Sequence, residues 1–376
     1  MISLAMQLTI GLILIIQNFV LLINLVHLRR RRAMPSLENK KMPSMAILIP
    51  VRNERHNLPR LLNALKAQSV VPQAVLIYDD ESTDGSTEWL EQHAYEYGFV
   101  LVPTVPKPNG WFGKAWACRQ LGCAALQTGA EVLVFLDADV EPKQGFLHWL
   151  GQAGERFPKA TMFTVIPRIV PTGLGDALLH QVIMTSLFTM LPLTLAESHP
   201  NPAFSFANGQ CLAYRAKAYA QDQPHQRVAS TVLDDVGIAQ YLKRTRQRSG
   251  QATQIVILHG LPYLSTHMYR SFNEAVDGYA KNAVALCRGV LPAIAIGGAM
   301  GLIYGLPLMW GEPFWRAGCI LLSGLSFGVS GRYAGLPLWQ GWLYPISVIL
   351  ALYVLMRSII WNLRGAIRWK GRCYPG

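Results

Sequence analysis

The sequence is poor in acidic residues, with 22 Asp and Glu against 34 Lys and Arg, a formal charge of +12 over 376 residues. Such a balance would suit nucleic acid, but no nucleic-acid-binding module surrounds either basic cluster, and that partner is excluded. The chain also lacks a cysteine framework. It has six cysteines; Cys118 and Cys123 are too far apart for a CxxC pair, and no His or Cys pair follows to complete a zinc site. A disulfide scaffold and a structural zinc module are therefore ruled out, and a reduced, cytosol-facing catalytic domain is expected. No GxxxxGK[ST] stretch is present, which excludes a P-loop. Charge is scarce in the C-terminal apolar runs, where Glu312, Arg316, Arg332 and Arg357 lie mostly near the ends. A translocation path needs polar groups at depth, so a transporter is disfavoured.

What is abundant is apolar residue, 51% of the chain against 15% charged, and it is segregated. Leu8 to Leu28 is apolar apart from Thr9, Gln17, Asn18, Asn24 and His27, about the length that crosses a hydrocarbon core. No positive n-region precedes it and no A-x-A site follows, so an uncleaved anchor (residues 1–28) is expected rather than a signal peptide. Arg29 to Arg32 follow directly, with Lys40 and Lys41 behind, in a basic linker over 29–44. Three further apolar stretches, Val290–Trp310, Ala317–Leu336 and Leu343–Trp361, fill 289–361, and Arg364, Arg368, Lys370 and Arg372 mark a basic tail over 362–376. Basic clusters beside spans are topology determinants and attract anionic lipid headgroups. They predict an integral protein of a bacterial plasma membrane with its central domain in the cytoplasm. Three full C-terminal crossings would put the basic tail outside, against that rule, and the Gly-rich middle stretch with Arg332 reads as re-entrant or incompletely spanning, which leaves two or three C-terminal spans.

Between these regions, over 45–260, short apolar runs alternate with helical stretches. Ala46–Ile49, Ala74–Ile77, Val132–Leu136 and Met162–Ile166 read as buried strands; Leu58–Ala67, Thr87–Tyr95 and Lys114–Leu126 read as helices. That alternation predicts an α/β fold with a doubly wound, mostly parallel sheet, which binds ligands at the C-terminal ends of its strands. Leu174–Leu195, interrupted by Asp176, His180, Gln181 and Pro192, reads as an interfacial element. So does 261–288, with Tyr269, Phe272, Val276 and Tyr279 on one helical stripe. These elements would lay the mouth of the site against the bilayer.

The strand ends carry the chemistry. The first runs into Pro50-Val51-Arg52-Asn53-Glu54, the second into Asp79-Asp80-Glu81-Ser82-Thr83-Asp84-Gly85-Ser86, and Val132–Leu136 into Asp137-Ala138-Asp139. Asn208-Gly209 and Asp234-Asp235 come later. Singly, each has the ordinary reading of a polar loop or helix cap. Carboxylate oxygens suit a hard divalent cation, which in turn stabilises anionic oxygens. Period two along a strand would turn Asp137 and Asp139 to the same side. A carboxylate apart from such a pair can serve as a general base. In Gly110-Trp111-Phe112-Gly113-Lys114-Ala115-Trp116-Ala117, Lys114 sits at a helix start, suited to an anionic diphosphate; the competing reading is a helix-start lysine between two core tryptophans.

As an ordered set these motifs, from Met45 to Lys243, resemble the family 2 glycosyltransferases, a GT-A fold. The resemblance implies that Pro50, Arg52, Asn53, Glu54, Asp79 and Asp80 hold the nucleotide and that Asp137 and Asp139 form a DxD carrying Mg or Mn, Asp137 also touching the donor. It also implies Asp235 as general base, preceded by Asp234 where the family has Glu. The W-x-G-K-x-W-A stretch resembles members that glycosylate carotenoids or hopanoid-type lipids, which places Lys114 on the diphosphate. The implied function is inverting, metal-dependent transfer from a nucleotide-sugar to a hydroxyl of a lipid-like acceptor. A polysaccharide synthase is disfavoured because Q-x-x-R-W is absent; Arg368-Trp369 lacks the glutamine. A polyprenyl-phosphate sugar synthase and a non-catalytic scaffold remain the alternatives. Of the histidines, His259 and His267 read as structural, His199 as loop and His225 as mobile.

Overall fold

The computed structural model describes residues 3–32, 42–249, 255–365, 367–369 and 372–374. Lys40, Lys41 and Lys370 lie outside them. The chain forms two compact units, one of residues 28–168 and 193–266, the other of 1–27, 169–192 and 267–376.

Among the described residues the first unit carries the short strands β1 (Met45–Val51), β2 (Ala74–Asp79), β3 (Val100–Leu101), β4 (Val132–Leu136), β5 (Val140–Pro142) and β6 (Met162–Ile166), then β7 (Arg168–Ile169) at its limit, and β8 (Cys211–Arg215), β9 (Ile255–His259) and β10 (Leu264–Thr266). Seven make one sheet in the order β3-β2-β1-β4-β8-β6-β9. All its pairings are parallel except those of β8, which runs against both β4 and β6. The expected mostly parallel α/β sheet is therefore present, with one reversed strand near its centre.

Side chains of β1 alternate between two apolar layers. Ile47 and Ile49 join Leu58, Leu61, Val134, Phe146 and Leu150 on one face; Ala46 and Leu48 join Tyr78, Cys118, Leu121, Phe135 and Tyr214 on the other. A strand buried on both faces must be apolar throughout, which is why these strands read as continuous runs. Each buried Val, Leu, Ile or Phe among them contributes about 1.5–3 kcal/mol, enough to fix the register that pairs Ile49 with Ile77 and Leu48 with Phe135.

Parallel pairing sends the loops after β1, β2 and β4 to one edge of the sheet. Antiparallel β8 delivers its N-terminal end to that same edge, with Cys211 opposite Leu136. β10 pairs with β5, so this unit continues to Thr266 beyond the expected limit at residue 260.

The second unit is helical. Its first helix runs Leu4–Arg32, so the four arginines expected to open a linker continue the helix; residues 33–41 are not described. Among the described residues, three helices are long and apolar enough to cross a membrane: Leu4–Arg31, Val290–Met309 and Leu338–Leu363. The middle C-terminal stretch forms the helix Pro313–Arg332, in which Ser323, Ser326 and Ser330 are buried.

Two expectations need correction. The helix Leu174–Met190 is largely buried within its unit rather than presenting a polar face. The polar residues that suggested an interface have internal partners: Asp176 lies 3.1 Å from His180, and Gln181 donates to the Phe327 carbonyl and accepts from Ser347. Tyr269 precedes rather than shares the helix Phe272–Leu286, which begins after its cap Ser271. That helix faces inward through Ala275, Val276, Ala280 and Val284.

Candidate active site

The loops after β1 and β2 are laced together before any ligand is considered. Asn53 and Glu81 both adopt positive φ, 55° and 56°, conformations that cost a non-glycine residue energy and persist only where neighbours fix them. The fixing contacts are visible. The Asn53 amide donates to Ser82 Oγ at 2.9 Å, and Asn53 Oδ1 accepts from the Thr83 amide at 2.8 Å. The Glu54 amide donates to Ser86 Oγ and the Arg55 amide to Asp84. Arg52 donates to the carbonyls of Asp80 and Glu81.

Asp79 is buried, and its carboxylate accepts from Ser82 Oγ and, at 2.6 Å, from Thr87 Oγ1. Those bonds hold the loop's shape. The D-D-E-S-T-D-G-S run is thus more than a turn and cap: its hydroxyls rigidify a two-loop cradle.

The second part of the site is electrostatic. Lys114, in the first turn of the helix Gly113–Leu126, places Nζ 2.6 Å from Asp137 Oδ1 and 2.7 Å from Oδ2. The turn before this helix is anchored by the Phe112 amide on the Ala229 carbonyl and by Trp116 Nε1 on the Val105 carbonyl. Partial burial would lower the proton affinity of Lys114, but Asp137 and then Asp234 raise it well above the ordinary lysine value, and the amine stays charged.

Asp137-Ala138-Asp139 forms a turn after β4, closed by the Val140 amide on the Asp137 carbonyl. The two carboxylates therefore owe their placement to a turn, not to the two-residue period of a strand. Asp137 meets Lys114, whereas Asp139 belongs to the electrostatic surroundings of Arg60, with Glu141 and Glu54.

The reversed strand completes the site. The Asp137 amide donates to the Gln210 carbonyl at 3.1 Å, and the Gly209 amide donates to Asp235 Oδ2 at 2.8 Å. Asp235 Oδ1 accepts from the Val236 amide at 2.7 Å, at the N-terminus of the helix Asp234–Ser249. Burial, then the charge of Asp234, lifts Asp235 to about 6, although Lys114 and the two amides pull it down. A carboxyl near 6 is ionised at neutral pH yet basic enough to accept a proton.

A Cβ on Gly209 would lie 3.3 Å from Asp235 Oδ2 and 3.4 Å from Lys114 Nζ. The absence of a side chain there keeps open the space between the Asp235 carboxyl and the Lys114 ammonium. The roles of Gly209, Gln210 and Arg60 were not read from sequence; Asn208-Gly209 was noticed, but only the antiparallel strand shows why it matters. His225, expected to be mobile, is buried, hydrogen-bonded to Tyr219 at 2.9 Å and packed on Phe135. Burial and then the charge of Lys114 depress it to about 3, so it is neutral. His259 lies within β9, and His199 packs against Phe204.

Among the described residues no group of three or more His, Cys, Asp and Glu is gathered to hold a metal. Mg and Mn sites of the phosphate-handling kind need only one or two carboxylates, because water and the substrate's phosphates supply the other oxygens. Asp137 and Asp139, hard oxygen donors on the one turn after β4, match such an ion in donor chemistry.

Residues 46–221 match the family described as glycosyl transferase family 2. The 4,4'-diaponeurosporenoate glycosyltransferase of Staphylococcus aureus is 32% identical over 278 residues, spanning 72% of this chain and 68% of that one. The enzyme of the same name from Staphylococcus haemolyticus is 26% identical over 302 residues, 78% of this chain and 71% of that one. Among solved structures, the mannosyltransferase PcManGT from Pyrobaculum calidifontis, in complex with GDP-Man and Mn2+, aligns over 94% of this chain and 99% of its own at 15% identity and a TM-score of 0.44. Residues 1–349 of S. aureus TarS align over 86% and 93% at 14% identity and a TM-score of 0.41. The family match and these relatives define the class of the chain, a glycosyltransferase. The chain belongs to glycosyl transferase family 2 and is a glycosyltransferase similar to the enzymes named 4,4'-diaponeurosporenoate glycosyltransferase.

Proposed function

We propose that this enzyme moves a sugar from a nucleotide-sugar to an acceptor dissolved in the membrane, in one inverting displacement with Asp235 as general base. The observation that carries this reading is the state of Asp235: gripped by two backbone amides, raised to about 6, and facing the Lys114–Asp137 pair across the side-chain-free position of Gly209. Asp235 takes the acceptor's hydroxyl proton as the acceptor oxygen bonds to the anomeric carbon. The bond from that carbon to the diphosphate breaks, and the nucleoside diphosphate leaves. Such a positioned base contributes about 10²–10⁴-fold to rate.

The cradle of Pro50, Arg52, Asn53, Glu54 and Asp80 receives the nucleotide, with Asp79 shaping it through Ser82 and Thr87. Lys114 meets the diphosphate. Asp137 and Asp139 would hold Mg or Mn, which when bound offsets charge on the leaving diphosphate.

The relatives' name supports a carotenoid-type acceptor, and it raises a second reading of its chemistry. The ending -oate denotes a carboxylate. An acceptor carboxylate arrives already deprotonated, forms a glycosyl ester, and needs no base.

The three apolar helices support an integral membrane protein. With Arg29–Arg32 cytoplasmic, the catalytic unit follows on that side. Two C-terminal crossings, Val290–Met309 and Leu338–Leu363, would return the chain to the cytoplasm, in keeping with the positive-inside rule.

The test uses purified protein in nanodiscs with manganese and a panel of nucleotide-sugars, reading nucleotide release with and without a membrane-lipid extract. Lipid-dependent release of one nucleotide, lost in Asp137→Asn and Asp235→Asn, is expected. No release from any donor, in wild type and variants alike, would leave a scaffold in its place, whereas release that survives Asp235→Asn would remove the base assignment alone.

A further inference from the structure

We propose that Lys114 is an interlock that keeps a divalent cation off Asp137 until the donor's diphosphate is present. This rests on the reading that a nucleoside diphosphate binds beside Lys114. The ammonium sits 2.6 and 2.7 Å from the two Asp137 oxygens, so it straddles the carboxylate rather than capping one lone pair. A divalent ion binds a carboxylate oxygen at about 2.0–2.6 Å. It would therefore have to share Asp137 with a cation at similar range, and like charges that close repel strongly. In this state Asp137 is already neutralised by the chain itself.

Lys114 has the means to leave. Its side chain keeps 40% of its surface exposed, and its four-carbon stem is flexible. It rises from the first turn of its helix, where backbone amides also favour an anion. Its other anionic neighbour is Asp234, on the helix that also carries Asp235. An arriving diphosphate offers more negative charge than Asp137 alone, drawing the ammonium onto its phosphate oxygens and uncovering both carboxylate oxygens.

Metal and nucleotide then bind with positive coupling, each raising the affinity of the other by the same factor. The simple alternative is a structural ion pair that holds the β4 turn, with no effect on the order of binding.

The experiment titrates MnCl2 into the full chain in nanodiscs, with no nucleotide, and follows free Mn2+ by electron paramagnetic resonance. Lys114→Met should bind Mn2+ at least tenfold more tightly than wild type, Lys114→Arg should bind like wild type, and the gain should vanish in Lys114→Met/Asp137→Asn. If the Met variant does not fold, Lys114→Gln replaces it with the same expectation.

A second arm needs no variant: UDP, GDP and TDP binding to wild type is measured by equilibrium dialysis with and without Mn2+, and one should tighten at least tenfold with the metal. Wild type binding Mn2+ alone as tightly as the Met variant, or a gain that survives loss of Asp137, would overturn the interlock even if nucleotide binds. Nucleotide binding that ignores Mn2+ would also overturn it. Failure of all three nucleotides to bind would remove the donor reading itself and the interlock with it.

Discussion

If Asp235 is the base, replacing it with Asn should remove the chemical step while sparing the site's shape. The Asn side chain is nearly isosteric, and its amide oxygen can still accept from the Gly209 amide, now at 2.8 Å from Oδ2. What it cannot do is accept a proton. With a hydroxyl acceptor, kcat should fall by about 10²–10⁴, and nucleotide affinity should change little, because the Arg52–Glu54 and Asp80–Ser86 cradle is untouched. The wild-type pH profile gives an independent reading. A group at about 6 is ionised in roughly nine molecules of ten at pH 7 and one of ten at pH 5, by the tenfold-per-unit rule. Thus kcat/KM should fall about tenfold from its plateau to pH 5, with unit slope, as Asp235 takes up the proton that blocks it. The assay is initial-rate nucleotide release in nanodiscs from pH 5 to 8, with donor held well below KM. A flat profile together with Asp235→Asn activity within tenfold of wild type would refute the base assignment. Hydroxylamine-labile product in that case would establish the glycosyl ester and a carboxylate acceptor.

Other perturbations test the surrounding structure. Gly209→Ala puts a methyl 3.3 Å from Asp235 Oδ2; kcat should drop with a stability loss of about 1–3 kcal/mol, and wild-type kcat would show that the gap is unused. Ser82→Ala removes the acceptor of the Asn53 amide and a donor to Asp79. It should cost about 1–3 kcal/mol in thermal unfolding and raise the donor's KM, and an unchanged KM would mean the cradle does not bind donor. His225 is depressed to about 3 from an ordinary 6.5, so its contribution is complete above pH 6.5 and is lost as pH falls towards 3. The upper figure is about 5 kcal/mol, opposed by Asp235, whose raised affinity for a proton favours the folded state in acid. His225→Phe should flatten the decline of denaturant stability between pH 6.5 and 4; an unaltered decline would assign it elsewhere.

The sheet was legible in sequence because its strands are covered on both faces and so read as apolar runs such as Ala46–Ile49 and Val132–Leu136. The cradle loops were legible for the complementary reason, that polar residues directly after such runs must lie at a strand end. β8 was not legible. Cys211–Arg215 carries no local mark of its direction, since orientation is set by which strands it pairs with. Without that direction, Gly209 could not be placed beside Asp235. The helix Leu174–Met190 was misread because a buried Asp176–His180 pair looks, in sequence, the same as an exposed one.

The sequence by itself determined the segregation into apolar helices and an α/β unit, the carboxylates at its strand ends, and the lysine at the start of its helix. These follow from composition, periodicity and local turn chemistry, which act over a few residues. Tertiary structure alone decided that Lys114 spends its charge on Asp137, that Asp235 is held by Gly209, and that Asp79 serves the loop through Ser82 and Thr87. Charge pairing and proton affinity depend on separations of a few ångströms between residues distant in the chain, and only the folded sheet fixes those.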